Sequence, residues 1–213
     1  VSMVDGEIPT DLSLASYAGI IGGGGPYCLS DSEETKCATP HRWESEQLSH
    51  QLFSRAIEMD VPTLGICYSL GLICRAAGGA TAAVPEYAEN AGAVRITLTT
   101  EGASDPLLSE MPQEFDSYVI HKDSCTELPN GSTLLATSKQ CPVHMFRLKQ
   151  NIYATQFHPE LDLENMLLRI VFYKHKGYFP AEKAEEFADT MRKVAVTDPM
   201  RVLDAFVEKY KSR

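Results

Sequence analysis

Cys67 stands where two sequence patterns meet. The apolar stretch "VPTLGIC" (61–67) predicts a short buried strand, and "YSLGLICRAAGG" (68–79) predicts a helix that ends at a glycine pair. A thiol at such a turn projects from the backbone, and the N-terminus of the following helix favours its thiolate form. This position suits a nucleophile, although a cysteine in an apolar stretch is also commonly a core residue.

The segment "YATQFHPE" (153–160) could supply the other groups that cysteine catalysis needs. A predicted strand ends there and presents His158 and Glu160, with Pro159 restricting the turn between them. A cysteine nucleophile requires a base that takes and returns a proton, and a further group that orients the base. A surface His-Pro-Glu loop is the alternative interpretation.

The stretch "IIGGGGP" (20–26) places a glycine loop after a buried strand. Glycines let backbone N–H groups approach a ligand closely, as an oxyanion hole requires. The alternative is a plain flexible turn. The loop matches neither the dinucleotide-binding nor the P-loop nucleotide motif.

The elements that would position these residues alternate between strand and helix patterns, which is typical of an α/β fold. Residues 44–60 have the one-sided apolar period of a surface helix, and residues 93–99 alternate as a half-exposed strand does. Four closely spaced strand candidates follow, at 114–121, 133–138, 143–148 and 151–157. We therefore expect a three-layer open sheet, mostly parallel, with a mixed or antiparallel edge.

Three helical segments follow Pro159, and Pro180 and Pro199 stand at the starts of the last two. We expect a catalytic domain over residues 1–162 and a helical extension over 163–213, packed on the same domain. An apolar stripe on the first of these helices is expected to be core, with a partner surface, including self-association, as the alternative. The stripe consists of Leu167, Leu168, Val171 and Phe172.

Composition excludes several classes of protein. The formal net charge of the 213 residues is −10, so no basic excess exists to bind nucleic acid or an anionic membrane. No apolar run is long enough to span a bilayer, and the first residues lack the pattern of a signal peptide. The six cysteines show no CxxC pair, and we interpret them as reduced thiols in the cytoplasm, with no metal and no cofactor.

The order of these motifs resembles that of the class I, triad-type glutamine amidotransferases. The similarity extends over about residues 15–162 and is closest to the amidotransferase domain of GMP synthetases. Residues 121–160, "HKDSCTELPNGSTLLATSKQCPVHMF…NIYATQFHPE", follow that family's H-x-D segment, its Cys-Pro and its closing QFHPE. The resemblance implies a flavodoxin-like fold and glutamine hydrolysis without a cofactor.

The resemblance also implies a role for each matching residue. Cys67 would attack the side-chain amide carbon of glutamine, His158 would transfer the proton, and Glu160 would orient His158. Backbone N–H groups of Tyr68 and of Gly25 or Gly24 would stabilise the oxyanion. Ammonia would leave, and water would release glutamate from a γ-glutamyl thioester.

Two positions near the nucleophile depart from the family pattern G-x-C-x-G-x-Q. Ser69 replaces a glycine, and because serine is small we expect the turn to persist. Gly71 replaces the glutamine that usually contacts the amino-acid end of the substrate, which makes the identity of the amide the open question. His121 and Asp123 match a loop near the family's active site and could bind substrate, or they could form a surface turn.

Three functions remain compatible with this sequence. The leading one is an amidotransferase-type hydrolase whose ammonia acceptor, if there is one, lies on another chain, because no SGGxDS-type ATP-pyrophosphatase motif is present. The second is a hydrolase of another γ-glutamyl compound or small amide, suggested by Gly71. The third is a non-catalytic scaffold or regulatory subunit, which could be a homodimer. We also expect the family's first strand and helix to be missing from this sequence, as in a fragment.

Overall fold

A computed structural model describes residues 13–174 and 179–212. These residues form nine strands: β1 Ile20–Gly22, β2 Thr63–Ile66, β3 Ala80–Ala83, β4 Glu89–Leu98, β5 Glu114–His121, β6 Asp123–Glu127, β7 Ser132–Ser138, β8 Met145–Leu148 and β9 Ile152–Thr155. Seven of them make one sheet in the order β1-β2-β9-β8-β7-β4-β5. The expectation of a flavodoxin-like α/β fold is confirmed.

Three of the strands, β1, β2 and β9, are parallel to one another. β2 and β9 are buried along their whole length, as continuous apolar runs in a parallel sheet should be. Both strands run in the same direction, so the residues that follow them, Cys67 and His158, emerge at the same edge of the sheet. Ligand sites of open α/β sheets lie at this edge.

The other four neighbouring pairs in the sheet, from β9-β8 to β4-β5, are antiparallel. The antiparallel part is therefore larger than the edge expected from the sequence, and the parallel arrangement holds only for β1, β2 and β9. The β7–β8 and β8–β9 connections are too short for a parallel crossover, which needs a dozen or more residues.

A second sheet pairs β3 with β6 in antiparallel fashion. The sequence patterns predicted neither strand. β3 is a short, alanine-rich segment, and β6 is largely polar, so neither has the apolar pattern by which a strand is recognised. This small sheet matters for function, because β6 begins at Asp123.

The described residues also form seven α-helices: α1 Glu33–Cys37, α2 Arg42–Met59, α3 Tyr68–Ala76, α4 Thr100–Ala103, α5 Leu163–Tyr173, α6 Ala184–Met191 and α7 Met200–Tyr210. Three 3₁₀ turns, Leu14–Ser16, Pro106–Leu108 and Ala181–Lys183, complete the elements. α2 and α3 match the helices expected from the sequence. None of the helices in 13–174 or 179–212 is both long and apolar enough to cross a membrane.

The large sheet has an apolar core on each face. On one face, α2 and α3 contribute Phe53, Leu70 and Ile73, which pack with sheet residues such as Phe146 and Ile152. On the other face, α7 contributes Val202, Phe206 and Tyr210, which pack with sheet residues that include Leu64, Ile66 and Tyr153. Helices on both faces of one sheet constitute the three layers expected from the sequence.

α5 and α6 form a third apolar cluster with the ends of β4 and β5, centred on Met166, Ile170 and Met191. The apolar stripe on α5 is not core, contrary to the expectation. Leu168, Val171 and Phe172 are 52, 69 and 67% exposed, and Leu167 is half-buried. Met166 and Ile170 face the core instead, because a helix that lies on a surface can bury only one side.

Candidate active site

Cys67 occupies a strained turn between β2 and α3. Its backbone has φ 51° and ψ −100°, a conformation that residues other than glycine rarely adopt. The Cys67 amide donates to the carbonyl of Thr155 at 2.7 Å, which fixes the turn to the end of β9. The strained turn projects the thiol from the sheet edge, as the sequence pattern predicted.

His158 and Glu160 form the second part of the site, directly after β9. Nδ1 of His158 lies 2.8 Å from Oε1 of Glu160, and the His158 side chain is only 1% exposed. Arg169, on α5, donates from Nη2 to the same Glu160 oxygen at 3.1 Å. The backbone amide of His158 also donates to the carbonyl of Tyr118 in β5 at 3.0 Å. His158 is therefore held in place both through its backbone amide and through its imidazole ring.

The electrostatics of these groups favour a charged histidine. Burial alone would lower the pKa of His158, but its interactions with the Cys67 sulfur and with Glu160 outweigh burial and raise the pKa to about 9. Burial likewise acts to raise the pKa of Glu160, but its hydrogen bond to His158 and the charge of Arg169 lower it overall. Glu160 is therefore ionised and stabilises an imidazolium at neutral pH.

The glycine loop after β1 closes over Cys67. A Cβ placed on Gly24 would lie 3.0 Å from Cε1 of His158 and 3.6 Å from Cβ of Cys67. A Cβ on Gly25 would be 3.4 Å from the Tyr68 ring. The structure thus brings together beside Cys67 the three residues to which the resemblance gives an oxyanion-binding role, Gly24, Gly25 and Tyr68.

Two side chains hold this loop and the turn in register. Ser69 is completely buried, and its hydroxyl donates to the carbonyl of Gly23 at 2.7 Å. The Tyr68 hydroxyl donates to Glu46 of α2 at 3.1 Å. Ser69 therefore does more than fit where the family has glycine, because it fastens the start of α3 to the glycine loop.

A cavity opens beside Cys67. Its lining includes, besides Cys67, most of the expected site residues: Gly25, Tyr68, Gly71, His121 and Asp123. The remaining lining residues are Tyr27, Cys28, Leu29, Leu70, Thr81, Ile120, Ser124 and Gln156.

Two groups that face the nucleophile were not predicted from the sequence. Nε2 of Gln156 lies 3.7 Å from Sγ of Cys67, and the carbonyl oxygen of Ile120 lies 3.8 Å from the same sulfur. Gln156 begins the QFHPE motif, so its position two residues before His158 was a usable signal. The Ile120 carbonyl is a backbone group, so no residue type in the sequence could have indicated its position.

The side chain of Leu29 packs against Gly71. A Cβ on Gly71 would lie only 2.6 Å from Cδ1 of Leu29, a distance that real Cβ atoms do not tolerate. Leu29 is buried and lines the cavity. The space beside position 71 is thus taken by an apolar side chain from the loop after β1. This contact explains why the helix interior holds a glycine despite its cost of about 1 kcal/mol relative to alanine.

His121 and Asp123 lie at the cavity, and protein atoms surround the polar groups of both. Nδ1 of His121 is 3.0 Å from the carbonyl of Asp123, and its Nε2 is 2.9 Å from Oε2 of Glu89. Asp123 accepts from the amide and the hydroxyl of Ser30, at 2.8 and 2.5 Å. This pair connects the loop after β1 to the β5-β6 junction, so it is not the isolated surface turn that was the alternative.

Among the remaining histidines and cysteines, Cys28 lines the cavity, and the others that the structure describes are absent from its lining. His41 is exposed, His50 is half-buried and His144 is completely buried in a polar cluster; His175 lies outside the described residues. All six cysteines are free thiols. Burial raises the pKa of Cys28 to about 11 and that of Cys141 to about 12, so neither is an activated nucleophile.

Comparison with known proteins agrees with this geometry. The family model for glutamine amidotransferase class-I matches residues 5–176. A glutamine-hydrolyzing GMP synthase of Borrelia garinii subsp. bavariensis is 33% identical over 151 residues, which are 71% of this chain and 25% of that protein. A protein of Natronomonas pharaonis, named as one of the subunits of a glutamine-hydrolyzing GMP synthase, is 33% identical over 106 residues, which are 49% of this chain and 55% of that protein.

The fold has counterparts among solved structures. A glutamine amidotransferase of Thermotoga maritima aligns with a TM-score of 0.74 at 18% identity, covering 96% of this chain and 83% of that chain. A glutamine amidotransferase of Methylobacillus flagellatus aligns with a TM-score of 0.66 at 17% identity, covering 95% and 80%. At these identities the likeness shows the fold. The chain spans about a quarter of the length of the Borrelia GMP synthase.

Proposed function

The chain belongs to the glutamine amidotransferase class-I family, and from that premise we propose that it hydrolyses the side-chain amide of glutamine through a Cys67 thioester. The single observation that carries the proposal is the arrangement at the sheet edge. A strained cysteine turn and a buried His158–Glu160 pair at 2.8 Å face the same glycine of the loop after β1. A non-catalytic scaffold would have no reason to maintain this strain.

In the proposed reaction, the sulfur of Cys67 attacks the amide carbon and a C–S bond forms. Negative charge develops on the amide oxygen, and the backbone N–H groups of Tyr68 and of Gly25 or Gly24 stabilise it, at about 3–4 kcal/mol per donor in comparable sites. The imidazolium of His158 donates its proton to the departing nitrogen, and the C–N bond breaks to release ammonia.

The second half of the reaction regenerates the thiolate. His158, now neutral, takes a proton from a water molecule, and the water oxygen attacks the thioester carbon. The C–S bond breaks and glutamate leaves. Glu160 keeps the imidazole in one orientation throughout, and Arg169 fixes Glu160 in turn. These are the roles assigned to Cys67, His158 and Glu160 from the sequence.

Replacing the nucleophile tests this proposal directly. We expect Cys67→Ala to lower ammonia release from L-glutamine by about 10⁴-fold or more, because no other group can form the thioester. Cys37→Ala is the matched control, since Cys37 is exposed and distant from the cavity. Ammonia and glutamate are measured in coupled assays with the purified chain. Ammonia release that Cys67→Ala leaves unchanged would refute the assignment.

The fate of the ammonia is a second part of the proposal. The relatives named GMP synthase include one whose name describes a separate subunit, and a synthase subunit on another chain is the partner we propose here. The chain would act in the cytoplasm, where such synthases find their nucleotide substrates. Co-purification of an ATP-dependent synthase that raises the glutaminase rate is the expected result. A glutaminase rate that is already maximal for the isolated chain would contradict the need for a partner.

The Leu29–Gly71 contact favours one alternative substrate class, a γ-glutamyl compound or another small amide. An apolar leucine stands where the family pattern has a polar glutamine side chain, so contacts to the amino-acid end of the substrate differ. Turnover of a panel of γ-glutamyl amides is compared with that of L-glutamine, using kcat/KM. A panel member that exceeds glutamine supports this alternative, and a panel that is uniformly slower removes it.

A further inference from the structure

A buried polar cluster lies behind the cavity, at the ends of three strands. Glu89 begins β4, His121 ends β5, and Cys141 and His144 lie between β7 and β8. The four side chains come from distant parts of the sequence, and all four residues are buried, with Cys141 and His144 completely so. The proposed reaction uses none of these side chains as a proton carrier or nucleophile.

The atoms of this cluster are the kinds that bind transition metals. A ring nitrogen of His121, a ring nitrogen of His144 and Sγ of Cys141 all lie within 4.8 Å of one another. Oε2 of Glu89 lies 2.9 Å from Nε2 of His121 and 2.9 Å from Nε2 of His144. In a tetrahedral zinc site, with bonds of about 2.0–2.3 Å, neighbouring ligand atoms are about 3–4 Å apart. His121, Cys141 and His144 therefore have ligand atoms close enough to surround one ion, and the Glu89 carboxylate lies against the two histidines.

The orientation of His121 also fits a metal ligand. Its Nδ1 faces the carbonyl oxygen of Asp123 at 3.0 Å, so Nδ1 carries the proton and donates it to that oxygen. In the neutral ring, Nε2 then presents a lone pair to the centre of the cluster. Histidines that bind metals usually donate their other N–H to a backbone carbonyl or a carboxylate in this way.

Without a metal ion, the buried polar groups of this cluster are poorly matched as hydrogen-bond donors and acceptors. Both nitrogens of His121 face acceptors, whereas a neutral imidazole has only one N–H to donate. One oxygen of the Glu89 carboxylate then lies 2.9 Å from a ring nitrogen of each histidine. Neither nitrogen of the buried His144 ring has a hydrogen-bond partner among the described residues.

We propose that Glu89, His121, Cys141 and His144 bind a structural Zn²⁺ ion. The donor set of one thiolate, two imidazoles and one carboxylate is typical of zinc, and two anionic ligands neutralise its charge in a buried site. Cys141 and His144 are three positions apart and lie in the same connection between β7 and β8. The sequence patterns did not predict this site because the other two ligands join it only through the pairing of β4 with β5.

The proposed ion would be structural because four protein ligands leave no open position for a substrate or water. It would join the ends of β4 and β5 to the β7–β8 connection. His121 is part of the cavity wall, and the next residue towards the chain start, Ile120, places its carbonyl against Cys67. The ion would thus hold one wall of the cavity, and this proposal is independent of whether the chain hydrolyses glutamine.

The test uses the Cys67→Ala chain, so that the thiol at the cavity cannot bind the added metal. Zinc is measured by elemental analysis after purification, and Co²⁺ replaces it during refolding of the metal-free chain. We expect one equivalent of zinc, and with Co²⁺ a near-ultraviolet band from sulfur-to-cobalt charge transfer. Adding Cys141→Ser should remove this band and weaken metal binding by at least about 100-fold, whereas Cys37→Ser should change neither.

A second ligand variant keeps the test decisive if Cys141→Ser folds poorly. His144→Gln removes one ligand while retaining a polar side chain, and it should weaken binding while preserving the charge-transfer band. A parent chain that folds with far less than one equivalent of zinc and gives no cobalt band would overturn the proposal. Equal metal binding by the parent and the Cys141→Ser chain would overturn it as well. In either event the cluster is a hydrogen-bonded pair of histidines on Glu89.

Discussion

His158 combines near-complete burial with a positive charge, which is an unfavourable combination without compensation. Glu160 at 2.8 Å and the nearby Cys67 sulfur provide the compensation and raise the pKa of His158 to about 9. Arg169 adds a second cation to Glu160 at 3.1 Å, which stabilises the ionised carboxylate and limits its movement. The reactivity of the site therefore depends on a chain of charges rather than on the cysteine alone.

The pKa of His158 predicts the alkaline limit of activity. Below pH about 9 the imidazole is protonated and can donate to the departing nitrogen; above it the proton is lost. We expect kcat/KM for amide hydrolysis to decline as pH rises through about 9. Glu160→Gln removes one of the two interactions that raise the pKa of His158, the other being with Cys67, so the decline should begin at lower pH. A limit that is unchanged in Glu160→Gln would show that His158 is not the group that titrates.

At the scale of elements, the loop after β1 and the turn before α3 act as one unit. The Ser69 hydroxyl joins them at 2.7 Å, and Gly24 lies between Cys67 and His158. The glycines of this loop are not equivalent. A Cβ on Gly22 would lie within 3 Å of Ser69 and Phe53, whereas a Cβ on Gly23 would meet nothing within 4 Å.

Neighbouring alanine substitutions in this loop should therefore differ sharply. Gly24→Ala places a methyl group 3.0 Å from the His158 ring and should lower kcat/KM by roughly 10–100-fold, because it displaces a catalytic group by a fraction of an ångström. Gly23→Ala should stay close to the parent rate. Thermal unfolding of both variants checks that the fold is retained. Similar activities for the two variants would contradict the position given to Gly24.

At the scale of the whole molecule, the C-terminal helices contribute to the cores of the sheet. Val202, Phe206 and Tyr210 of α7 pack with residues of β2 and β9, the strands that precede Cys67 and His158. We infer that the helices after residue 162 and the sheet unfold as one cooperative unit. The exposed Val171 and Phe172 on α5 contribute little to this unit, because their side chains remain largely in solvent.

Two adjacent residues of α7 test this inference. Phe206 is 2% exposed, and we expect Phe206→Ala to destabilise the chain by about 3–5 kcal/mol, as is usual for a buried phenylalanine. Val207 is 44% exposed, and Val207→Ala should change stability by less than about 1 kcal/mol. Denaturant unfolding is followed by circular dichroism and by tyrosine fluorescence. Non-coincident transitions, or equal effects of the two substitutions, would indicate that α7 is a separate unit.

The sequence by itself determined the local features of this protein. Strand and helix patterns located β2, α3 and the turn between them, and the resemblance to the amidotransferase family then favoured Cys67 as a nucleophile over a core cysteine. The same holds for His158 and Glu160, because a short motif carries both residues and the turn that separates them. Local patterns succeed here because the positions of these groups depend on backbone geometry over only a few residues.

The tertiary structure alone decided the contacts between distant segments. Strand pairing brings Glu89 beside His121, and loop packing places Leu29 against Gly71. It also decided that β3 and β6 are strands and that the α5 stripe faces solvent. These contacts join segments that are far apart in the sequence. Side-chain packing and burial select them, and local conformational preferences do not. Residue spacing along the chain carries no record of it.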